Sequence, residues 1–112
     1  MFDFTDDIKR KLKRADHGEW FEYILEFQGY KLHIQMPTKN ENTIELFVNE
    51  GKKELIGGII LQPKEYNSLV NLIENGGIYI QQKNGLIRKT KHVYLKGIYP
   101  DIIPDRITNK VY

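Results

Sequence analysis

Side chains able to move protons, attack carbonyls or ligate metals are few in this sequence, and they are scattered. Ser68 is the sole serine and sits in a helical pattern with no nucleophile elbow around it, and cysteine is absent. His17, His33 and His92 fall in separate elements. Only the run Asp16-His17-Gly18-Glu19 sets two carboxylates beside an imidazole. Those three could hold a metal, yet the chain has neither an HExxH pattern nor a Cys and His ligand framework. A loop between elements needs the same residue types for capping. We therefore expect no catalytic residue, no metal and no cofactor.

Binding chemistry is better represented. Between Glu74 and Asp101 there is no acid, while Lys83, Arg88, Lys89, Lys91 and Lys96 fall in that interval. Asn84-Gly85 is a strong hairpin signal. A two-residue turn there sets Lys83 opposite Leu86, Gln81 opposite Arg88 and Tyr79 opposite Thr90. One face then presents Tyr79, Gln81, Lys83, Arg88, Thr90, His92, Tyr94 and Lys96. The other holds Ile78, Ile80, Ile87, Val93 and Leu95, with Lys89 and Lys91 among them, so those two must reach outward or lie past the covered part of the sheet.

The basic, aromatic face is suited to a protein partner. It is also suited to nucleic acid, with cations on phosphates and Tyr79 or Tyr94 stacking on bases. A third reading is a solvated hairpin whose charges protect an edge. Lys9 to Arg14 adds five positive charges in six residues. On a helix these wrap around every side but that of Leu12, so Arg10 and Arg14 are accessory contacts. Trp20, on the outward side of its strand, is another.

The elements that would carry these groups follow from periodicity. Phe4, Ile8, Leu12 and Ala15 recur at helical spacing, predicting a helix from Asp3 to about Ala15 with Asp3 or Thr5 at its start. From Glu19 the period becomes two: Phe21, Tyr23, Leu25 and Phe27, then Tyr30, Leu32, Ile34 and Met36, with a turn at Gln28-Gly29. Pro37 ends that hairpin. Ile44, Leu46 and Val48 begin a third strand, and "ELIGGIILQ" returns as a fourth. Gly57-Gly58 inside it predicts a bulge or a close backbone approach, since no Lys and Ser or Thr follow in the manner of a phosphate loop. Pro63 opens a second helix with Tyr66, Leu69, Val70 and Ile73 inward and Gly76 as its stop. The basic hairpin comes next, and from about residue 98 an extended tail.

The expectation is a single α+β domain spanning 1–112, with an antiparallel sheet of about six strands and two helices in the order α-β-β-β-β-α-β-β. At 112 residues, one core is enough. The formal charge of +2 falls short of the strongly basic balance of many nucleic-acid-binding domains. Glu19, Glu22, Glu26, Glu41, Glu45, Glu50 and Glu54 make the earlier strands acidic. A protein partner, or a second copy of the chain, could use both signs.

No apolar run is long enough to span a membrane, and the first residues do not form a secretory signal, so cytoplasmic residence is expected. Abundant Ile, Lys, Asn and Tyr with one Ala is the usage of AT-rich codons, as in bacterial or phage accessory proteins. The reading is a small non-enzymatic binding protein of inhibitor, regulator or adaptor type that contacts a protein through the basic hairpin. Nucleic-acid binding by the same hairpin is the alternative.

Overall fold

The computed structural model describes residues 4–37 and 43–98. Thr5 caps a one-turn helix, α1 (Asp6–Lys9), its hydroxyl accepting the Ile8 amide at 3.4 Å, with Asp6 and Asp7 in the first turn. The helix expected to reach Ala15 stops there. Extending it would stack Lys9 on Lys13 and Arg10 on Arg14, like charges one turn apart. Residues 13–16 instead gain a backbone partner as β1 (Lys13–Asp16), paired with the next strand. Arg14 then lies over the Phe21 ring, 3.9 Å from its centroid, and Lys13 reaches Glu26 at 3.1 Å.

β2 (Trp20–Phe27) and β3 (Tyr30–Pro37) form the expected long hairpin around Gln28 and Gly29, and β4 (Ile44–Glu50) and β5 (Lys53–Leu61) form the next. With β1 they make one antiparallel sheet in the order β1-β2-β3-β4-β5. Phe21 lies opposite Met36, Tyr23 opposite Ile34, Ile34 opposite Leu46, and Ile44 opposite Leu61. Because side chains alternate across a strand, these pairs place all the inward sets on one face.

The β4–β5 register shifts between Leu46 and Val48, where Ile59 and then Ile56 are the partners, so the glycine pair sits at a bulge. A side chain on Gly57 would bring its Cβ to 2.7 Å from Phe47 Cδ2. Glycine there allows the Phe47 ring to lie against the neighbouring backbone.

Pro63 opens a 3-10 turn (Pro63–Glu65) rather than the α-helix itself, and the Gln62 amide donates to Glu65 Oε1 at 3.0 Å. α2 (Tyr66–Asn75) follows and buries Leu69, Leu72 and Ile73. It stops at Gly76, which adopts the left-handed conformation at φ 61°.

The chain then forms β6 (Ile78–Asn84) and β7 (Lys89–Leu95), a two-stranded sheet of its own. β7 lies against β5. Val93, Leu95 and Ile98 enter the same core as Leu32, Ile34, Leu46, Leu61, Leu69 and Leu72, and Phe4 and Ile8 close it from the amino-terminal side.

The result is one α+β domain with the expected element order plus β1, its strands divided five and two. Among the described residues no helix is long and apolar enough to cross a membrane. The tail expected from about residue 98 lies, past Ile98, outside the described residues.

Candidate partner-contact surface

The β6–β7 hairpin pairs Tyr79 with Tyr94, Gln81 with His92, Lys83 with Thr90 and Asn84 with Lys89. The two-residue turn expected at Asn84-Gly85 is therefore replaced by a four-residue one. Gly85 donates its amide to the Arg88 carbonyl at 2.9 Å and closes it. Core packing accounts for the difference: the observed register sets Val93 opposite Ile80 and Leu95 opposite Ile78, aligning both apolar rows on the shared core. The displacement along β7 is even, so each residue keeps its expected face.

This register sends Leu86 and Ile87 to the tip. Both are fully exposed, at 107% and 96% of the reference residue area, and Ile87, expected to be buried, is instead in solvent. Arg88 and Lys89 follow directly and are exposed. With Lys53, Glu54, Leu55 and Lys91 they line a cleft of about 270 Å³ between the hairpin and the start of β5. Lys53, far off in the chain, was not among the expected contacts. Only the fold of β5 against β7 brings it to this cleft.

The remaining expected contacts separate into two groups. Tyr79 is 44% exposed, and His92 and Lys96 are exposed. Tyr94 is only 8% exposed, its ring 6.4 Å from that of His92, so it does not offer the free stacking face assigned to it.

Lys91 is tied into the molecule. Its Nζ lies 2.7 Å from Glu50 Oε2 and donates to the Tyr30 hydroxyl at 3.2 Å, 5.3 Å from the Tyr30 ring centroid. The Glu50 hydrogen bond, then that to Tyr30, raises the ammonium above its ordinary pKa.

Arg14, expected to be a free accessory cation, packs on Phe21 and bonds Asp16 Oδ1 at 2.9 Å and the Tyr23 hydroxyl at 3.4 Å. Those bonds, Tyr23 first, raise its guanidinium pKa further. Arg10 pairs with Asp7 on the surface of α1.

Trp20 is half-buried on the outward face of the five-stranded sheet, stacked on His17 with ring centroids 4.0 Å apart and 20° between planes. The Nε2 of His17 lies 3.3 Å from Glu22 Oε1, while Asp16 serves Arg14. His33 Nδ1 meets the other oxygen of Glu22 at 3.1 Å. Among the described residues no group of three or more His, Asp or Glu side chains is arranged to hold a metal.

Sequence reasoning missed the Glu22 group because its parts lie in a loop and two strands. The alternation that turned Glu22 and His33 outward was the available signal. Comparisons with family models, with curated proteins and with solved structures find no match for this chain.

Proposed function

We propose that this chain is a non-enzymatic binding protein, resident in the cytoplasm, that acts by contacting a protein through the tip of the β6–β7 hairpin. The observation behind this reading is the fully exposed Leu86-Ile87 pair at a turn, followed by Arg88 and Lys89. Turns are ordinarily built from Gly, Asn, Asp and Ser, which do not lose by facing water. Removing a Leu or Ile side chain from water contributes about 1.5–3 kcal/mol each, before the costs of association. The apolar pair thus supplies affinity by entering a partner's apolar pocket. Arg88, Lys89 and Lys53 meet acidic groups around that pocket and speed the encounter. Occupying a partner's pocket gives an inhibitory or regulatory effect by steric exclusion.

Nucleic-acid binding is the second reading, supported by the cationic cleft of Lys53, Arg88 and Lys89. The burial of Tyr94 and the engagement of Lys91 with Glu50 leave it with fewer stacking and phosphate contacts.

Two variants distinguish these readings. Leu86→Asp with Ile87→Asp removes the apolar tip, and Arg88→Glu with Lys89→Glu reverses the cations. Both sites are exposed, so circular dichroism should match wild type. In affinity capture from host lysate the first variant should lose the proteins held by wild type, and an unchanged set would overturn the tip assignment. Binding to single- or double-stranded oligonucleotides at low salt, with a slope near −0.7 to −0.9 per phosphate contacted and lost in the second variant, would favour nucleic acid instead.

A further inference from the structure

Glu22 is the one charged residue buried among the described residues, its side chain 9% exposed on the outward face of β2. A carboxylate so placed is costly unless its charge and lone pairs are answered. Here the answer comes from two imidazoles. His17, from the β1–β2 turn, and His33, from β3, each bring a ring nitrogen to a different oxygen of Glu22, at 3.3 and 3.1 Å. The turn itself is drawn back by the His17 amide, which donates to the Trp20 carbonyl at 2.8 Å. His17 then lies flat on the Trp20 indole.

We propose that His17, Glu22 and His33 form a proton-operated clasp that fastens the β1–β2 turn and the Trp20 indole to the outward face of the sheet. A neutral imidazole can donate one N–H to the carboxylate and keeps its contact, but leaves the buried negative charge uncompensated. One proton taken up by the pair cancels that charge, and a second makes the group net positive. Histidine is the side chain whose charge ordinarily changes between about pH 5 and 8. A cationic His17 is held from both sides, by Glu22 and by the π-face of Trp20.

On the clasp's face of β1 and β2, Lys13 pairs with Glu26 at 3.1 Å, whereas Arg14 and Asp16 lie on the opposite face beside Tyr23 and Phe21. Strand alternation places Lys31 on β3, Glu45 on β4 and Glu54 on β5 on this face as well, with Glu19 in the adjoining turn. Trp20 also forms one wall of a cavity of about 150 Å³ with Gln35, Glu45 and Ile60, so the clasp sets the shape of that cavity. This device is independent of the hairpin tip and stands or falls apart from the proposed function.

Trp20 is the only tryptophan, and its emission reports on the clasp without labelling. Titrating the full chain from pH 8 to pH 5 at constant ionic strength should show a stepwise loss of emission as an imidazolium forms against the indole. His17→Gln should abolish the step. Glu22→Gln, which keeps the shape and removes the charge, should displace it to lower pH, and His92→Gln, on the distant hairpin, should leave it in place. Flat wild-type emission across that range, or a step that survives His17→Gln, would overturn the clasp. Should Glu22→Gln fail to fold, imidazole resonances of the wild type decide the matter: the His17 resonances must move over the same pH range as the emission step, and His17 resonances that stay fixed through that step would refute the clasp.

Discussion

Lys91 crosses from β7 to the five-stranded sheet, where its ammonium sits on Glu50 and the Tyr30 hydroxyl. It lies on the apolar side of its strand, and a long flexible stem lets the charge reach a partner at the margin of the core. Its pKa is raised in the folded chain from the ordinary 10.5, chiefly by the Glu50 hydrogen bond. A raised value means that the folded state holds its proton more tightly than the unfolded one. The resulting stabilisation is complete below the ordinary lysine value and is lost as pH rises through the folded one. Urea denaturation should therefore show Glu50→Gln less stable than wild type at pH 7, with the gap closing above the lysine range. A gap independent of pH would mean that packing, rather than the ion pair, ties the hairpin to the sheet.

The elements show how local and tertiary preferences compete. α2 was legible from its apolar stripe and its closing glycine, with the proline three residues upstream opening a 3-10 turn that leads into it. At Gly76 the backbone is left-handed, which costs a residue with a side chain roughly 1–2 kcal/mol. Gly76→Ala should lower the unfolding free energy by about that amount, read from the urea midpoint at unchanged slope. Space is not the obstacle, since a Cβ at Gly76 meets nothing within 4 Å. The basic run after α1 illustrates the opposite case. Its residues are good helix formers, yet Lys13 and Arg14 find Glu26 and the Phe21 ring only as a strand. No feature within the run announces those partners.

Across the whole molecule, the two sheets share a core without sharing a backbone ladder. Leu95 in the hairpin is wholly buried, and Trp20 reports from the other sheet. Truncating Leu95 to Ala should cost about 2–5 kcal/mol by loss of contacts and creation of a cavity. That loss should appear equally in Trp20 emission and in far-UV circular dichroism, as one transition. If Trp20 emission kept its wild-type midpoint while the dichroism split in two, the hairpin would be a separately folding unit.

Periodicity by itself determined the α+β class, the order of the long elements and the two faces of β2, β3, β4, β6 and β7, and the glycine pair marked the bulge at Gly57-Gly58, because these depend on neighbours within a few residues. The basic and aromatic character of the hairpin was legible for the same reason. Its register was not. Asn84-Gly85 favours a tight turn locally, but aligning Val93 and Leu95 with Ile80 and Ile78 buries more apolar surface and leaves Leu86 and Ile87 at the tip. Tertiary structure alone decided which cations are committed, placing Glu50 under Lys91 and Phe21 under Arg14, and which remain outward at Arg88, Lys89 and Lys53. It also gathered His17, Glu22 and His33. Those contacts join residues distant in the chain, and their energies depend on a geometry that exists only once the strands have paired.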